Sequence, residues 1–162
     1  MVCRIIENFP ELDITAIKIT PHFHETTDGL IVIDEGDGYA IYSETNPGSN
    51  KDSSRMLSSG AVKVYFAKVW DEKLLTVFNK IMNYIEAGSP VVCESPALRN
   101  YIEPGAFILM NSDLQYNKKN ISHLQTLPHL MIKLEELDNI DSISIGFEDG
   151  KWFVKPEDRS QK

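Results

Sequence analysis

The chain has 162 residues, 42% hydrophobic and 25% charged, the composition of an ordinary soluble globular domain. Its formal net charge of −8 argues against a general binder of nucleic acid or of anionic membranes. The two cysteines, Cys3 and Cys93, stand in apolar runs and read as buried thiols rather than a disulfide framework, which points to the cytoplasm. The apolar runs fall well short of a membrane span, and the first residues lack a signal-peptide core.

Residues 1–9 place Val2, Ile5, Ile6 and Phe9 at helical spacing, without a capping residue ahead of them, and Pro10 ends that period. Residues 13–20 are β-rich and mostly apolar, as expected of a strand covered on both faces. Residues 30–35 and 39–44 form a hairpin around Gly36-Asp37-Gly38, and residues 46–50 are a loop of turn formers. A short polar helix over 51–59 then leads into a strand over 62–69. The spacing of Leu74, Leu75, Phe78, Ile81, Met82 and Ile85 predicts a helix over 71–87, stopped by Gly88. Further expected elements are a strand at 90–94, a helix at 97–102 behind Pro96, and a strand at 106–110. Residues 111–122 read as irregular or weakly helical, and 130–137 as a short helix. A closing hairpin of 142–147 and 151–155 turns at Glu148-Asp149-Gly150, and 156–162 read as a frayed tail. Strands separated by helices imply a mostly parallel sheet built from crossovers.

Such sheets place ligands outside the carboxyl ends of their strands. That edge is expected to gather His22, His24, Lys68, Asp71, Glu94, Ser95, Asn111 and Asp113. His22 and His24, two apart, would share a face if extended, so they read as metal ligands, as a ligand-facing pair, or as ordinary loop histidines. Glu94 either orients a metal-bound water or caps the helix that follows. Asp52 either contacts a ligand or stabilises its own helix start. Cys93 has no neighbouring base and reads as packing, and no G-x-S-x-G motif occurs.

Ile17-Lys-Ile-Thr-Pro-His-Phe-His24 resembles the strand-then-histidine segment of the molybdopterin-guanine dinucleotide biosynthesis protein B family. Lys51-Asp-Ser-Ser-Arg55 with Ser59-Gly-Ala61 looks like that family's Gly-Lys-Asp-Ser…Arg…Ala-Gly-Ala segment, and Glu94 aligns with the acid of its Val-Glu-Gly. The likeness covers about residues 1–111. It implies an α/β fold of P-loop NTPase type, a mostly parallel sheet with helices on both faces and β-hairpin additions. Residues 112–155 would then be an extension within the same domain. It also implies nucleotide or partner contacts by Lys51, Asp52, Ser53, Arg55, His22 and His24, with Glu94 reaching Mg²⁺ through water. Ser95 departs from the family's glycine. The family's G-x-x-x-x-G-K-[ST] loop, which cradles phosphates, does not occur here. The expected function is therefore an accessory protein for a molybdenum-cofactor transferase, binding GTP or ATP with Mg²⁺ only in a form that carries the loop ahead of Met1. Hydrolysis of GTP or ATP is likewise expected only in that form. The alternative is a non-catalytic module, as a monomer or homodimer, that uses the sheet crevice for a partner or small molecule.

Overall fold

Alternation of buried residues organises the first hundred residues around a five-stranded sheet. The computed structural model describes residues 1–23, 25–95, 97–111, 122–133 and 144–156. The expectations placed on His24, Pro96, Asp113, residues 112–121, 134–143 and the tail 157–162 lie outside the described residues. The chain divides into two units, one of residues 2–102 and one of residue 1 with the chain from Glu103 onward.

In the first unit, helix α1 (Val2–Asn8) precedes strand β1 (Thr15–Thr20). Strands β2 (Leu30–Gly36) and β3 (Tyr39–Glu44) form the hairpin, followed by helix α2 (Asp52–Ser58) and strand β4 (Lys63–Val69). Helix α3 (Leu74–Met82) and strand β5 (Val91–Glu94) complete it. The sheet order is β2-β3-β4-β1-β5. Strand β1 runs parallel to β4 and β5, whereas β3 runs antiparallel to both β2 and β4.

This corrects the expected mostly parallel sheet of P-loop type: the sheet is mixed, and helices of seven to nine residues stand where that fold has full helical layers on both faces. The hairpin is no addition at the periphery. Its second strand is interior to the sheet, with Ala40, Ile41 and Tyr42 buried in succession, as befits a strand flanked on both sides. One face presents Ile17, Ile19, Ile41, Tyr65, Ala67 and Val69, and Leu74, Val77 and Ile81 of α3 close over it. These residues alternate at period two in the strands and at three to four in the helix, so both elements bury one stripe in a common core.

Helix α3 is shorter than its apolar spacing implies. It opens on a 3₁₀ turn at Asp71–Lys73 and stops at Met82, where the N–H groups of Tyr84 and Ile85 donate three residues back to Ile81 and Met82. Ile85 still packs on the core, so the hydrophobic period outlasts the helix. The helix expected at 97–102 is a single 3₁₀ turn, Leu98–Asn100.

In the second unit, the strand expected to extend the main sheet, β6 (Ile108–Asn111), pairs instead with β7 (Leu130–Lys133) in a separate two-stranded sheet. Residues 130–133 are thus a strand where a helix was expected, since four apolar-rich residues carry too few periods to decide. Its other described elements are a short helix, α4 (Ser122–Gln125), and the hairpin of β8 (Ile145–Glu148) and β9 (Lys151–Val154). Asp149 and Gly150 both have positive φ, as the tight two-residue turn demands.

The place of β3 in the sheet gives a direct test. Ile41→Ala should cost about 2–5 kcal/mol, as for a fully buried residue, while Ile31→Ala on the exposed neighbouring strand should stay within about 0.5 kcal/mol. Urea unfolding of both variants checks this. A small effect at Ile41 would mean that the hairpin does not belong to the sheet.

Candidate functional site

Strand β1 alternates strictly enough to determine what its lysine can do. With Ile17 and Ile19 committed to the α3 face, Lys18 must lie on the other, among Val64, Phe66, Tyr42 and Glu44 by register. An ammonium held there needs counter-charges. Asp52, the first residue of α2, supplies one at 2.7 Å from Lys18 Nζ. Glu94, the last residue of β5, supplies the other through a short ion pair. Lys18 is 18% exposed, while the Asp52 and Glu94 side chains are about half exposed at 51% and 47%. Burial opposes the lysine's charge, but the hydrogen bonds to Asp52 and Glu94 outweigh it and hold Lys18 above its ordinary value.

A second polar junction lies one residue along α2. Ser53 is buried, and its hydroxyl donates to Glu44 Oε2 at 2.7 Å. Glu44, only 4% exposed, also accepts the Asn46 N–H at 2.9 Å through Oε1. Ser54 is fully buried; its hydroxyl donates to the Asn46 carbonyl and accepts the Ser49 N–H. The start of α2 is thereby fastened to the loop before it and to the sheet beneath it.

The structure brings Asp52 and Glu94 together through Lys18, and places Ser53 close by in a buried bond. Lys51, in extended conformation ahead of α2, and Arg55 are both exposed. His22 is exposed after β1, its N–H donating to Thr20 Oγ1 at 3.2 Å. Ser95, not Glu94, caps the following turn by accepting the Leu98 N–H at 3.2 Å. Lys68 is buried, and desolvation lowers its pKa; its Nζ lies 5.5 Å from the centre of the Tyr42 ring. Asp71 opens the 3₁₀ turn and is exposed. Asn111 belongs to the second unit. Cys93 packs against the core, and burial and the neighbouring Glu94 charge push its thiol up to about 12. Among the described residues, no three His, Cys, Asp or Glu side chains form a group that could hold a metal ion.

Sequence reasoning passed over Lys18, Glu44 and an aromatic pair. Phe23 follows β1 and Trp70 follows β4, so both leave the carboxyl ends of adjacent parallel strands, with ring centres 6.2 Å apart. Both remain about half exposed. Trp70 lies on Gly38: its backbone N–H donates to the Gly38 carbonyl at 2.9 Å, and a Cβ on Gly38 would meet the indole at 2.3 Å. Gly38 also has φ +73°, so the position requires glycine on two grounds. Lys73 donates to Asp37 and sits 5.9 Å from the Trp70 ring centre, closing the surround.

Replacing Lys18 by Met should cost about 1 kcal/mol, since its carboxylate partners are largely hydrated. The folded pKa of Lys18 lies above the unfolded value of about 10.4, so its contribution is whole below that value. As pH rises through the folded pKa it is lost, and wild type and Lys18→Met should converge; urea midpoints over alkaline pH check this. Ser53→Ala, which takes a donor from buried Glu44, should cost about 1–3 kcal/mol by the same measurement. No helix among the described residues is long and apolar enough to cross a membrane. Comparison with protein-family models, with curated proteins and with solved structures finds no match to this chain.

Proposed function

We propose that this chain is a non-catalytic binding module whose contact surface is the edge made by the carboxyl ends of β1, β4 and β5. The observation that carries this reading is the Phe23–Trp70 pair, two large rings left half exposed, with Trp70 held from behind by Gly38 and Lys73. A fixed, exposed aromatic loses little conformational freedom on binding and offers a broad apolar surface, which is why such residues dominate contact energies. Two residues before the end of β1, Lys18 binds Asp52 and Glu94, whose outer oxygens remain open to a donor on the ligand. The ligand class that fits is an aromatic or apolar group, with a hydrogen-bond donor or cation to meet the carboxylates.

The groups at this edge favour binding over catalysis. The one thiol there is held protonated, and both carboxylates already face an ammonium. An adaptor role beside a molybdenum-cofactor transferase is compatible with such a module and rests on the resemblance alone.

A screen of aromatic fragments read by backbone amide shifts tests the proposal. Hits should perturb residues 18–23, 68–71 and 94–95 together. The double variant Phe23→Ala/Trp70→Ala, both positions being exposed, should fold and lose those hits. Hits that cluster elsewhere, or that survive the double variant, would overturn it. Saturable Mg²⁺-dependent binding of GTP or ATP, lost in Glu94→Gln, would replace it with the nucleotide-binding reading.

A further inference from the structure

Strand β2 ends the sheet, and among the described residues only β3 pairs with it. An open edge strand presents unpaired N–H and C=O groups on which an added strand can form. Here the side chains suit that addition. Ile31 and Val32, which point to opposite faces, are 59% and 50% exposed, so an incoming strand would find an apolar neighbour on each face. Farther along, Asp34 and exposed Glu35 make the edge acidic, with Asp37 in the turn beyond. Asp34 and Asp37 are each met by a lysine, Lys80 and Lys73, and Glu35 is the acid left facing solvent on the strand itself.

We propose that the outer edge of β2 takes up an extended segment of a partner protein, apolar where it meets Leu30–Ile33 and basic where it meets Asp34–Asp37. A second copy of this chain fits less well. Turning β2 antiparallel to itself about Ile33 sets Ile31 against Glu35 and Val32 against Asp34, so both exposed apolar residues face a carboxylate. Two chains of net charge −8 also repel. The β-bulge between Val32 and Asp34 works against unbroken self-pairing in the same way. A basic, unfolded segment brings no like charge to the edge: main-chain bonds provide its affinity and the charges its direction.

The test uses the full chain and a capped peptide of about eight residues, valine and threonine in one half and lysine in the other. A control peptide carries glutamate in place of lysine. The lysine peptide should bind by fluorescence anisotropy, slow hydrogen exchange at amides of 30–36, and bind more weakly as salt rises. Glu35→Lys should weaken it about fivefold, through one attraction lost and one repulsion gained. The Phe23→Ala variant should bind it unchanged, which separates this surface from the edge at β1 and β4. Equal binding of the glutamate peptide, no binding at millimolar concentration, or protection outside residues 30–36 would overturn the proposal. Concentration-dependent protection of 30–36 without peptide would assign the edge to a second copy instead.

Discussion

The charges enclosed on the second face of the sheet, Lys18 and Glu44, are the constraint on which the first unit depends. Once Ile17 and Ile19 are buried under α3, Lys18 has one place to go, and once Ile41 is buried, Glu44 shares that face. Charged groups drawn from water must find partners or the fold loses several kcal/mol. The first two residues of α2 supply them, Asp52 to Lys18 and Ser53 to Glu44. A helix of seven residues has little stability of its own, so its position is determined by what it satisfies and buries. Met56, 1% exposed, anchors the same helix to the apolar part of that face.

Local chemistry accounts for how much of this was legible in the sequence. The strands at 15–20 and 63–69, the hairpin, α1 and α2 follow from periodicity and turn residues, and their ends agree within about two residues. Pairing order does not follow from either. The run Tyr-Ala-Ile-Tyr at 39–42 holds the missed signal, for successive buried residues belong to an interior strand, and the hairpin was read as peripheral. The apolar run 13–20 implies a strand covered on both faces, and Ala16 and Ile17, of opposite parity, are both fully buried. The single lysine in that run shares a face with Ala16 and is the polar exception there.

The site was half legible for the same reason. Asp52, Ser53 and Glu94 stand out as polar residues at element ends, but the residue that joins Asp52 to Glu94 lies 34 positions before one and 76 before the other. No local pattern encodes that meeting. The capping role offered for Glu94 falls one residue later, on Ser95, whose hydroxyl reaches the Leu98 N–H. Phe23 and Trp70 were overlooked because each alone is an unremarkable surface aromatic. Parallel register between β1 and β4 is what sets the two rings side by side.

The departure from a parallel sheet also explains why β2 is open. In a crossover sheet, helices cover the faces of each strand, and residues such as Ile31 and Val32 would be enclosed on both sides. An antiparallel hairpin needs no crossover, so β2 reaches the end of the sheet with Ile31 and Val32 exposed, while Ile33 still packs against the core. The opposite edge is chemically different: β5 has four residues, its last carboxylate is held by Lys18, and its short length blunts it against strand addition. The two edges are therefore unequal by construction. The one made by the longer antiparallel strand retains both the backbone length and the mixed apolar-acidic side chains that an added strand requires.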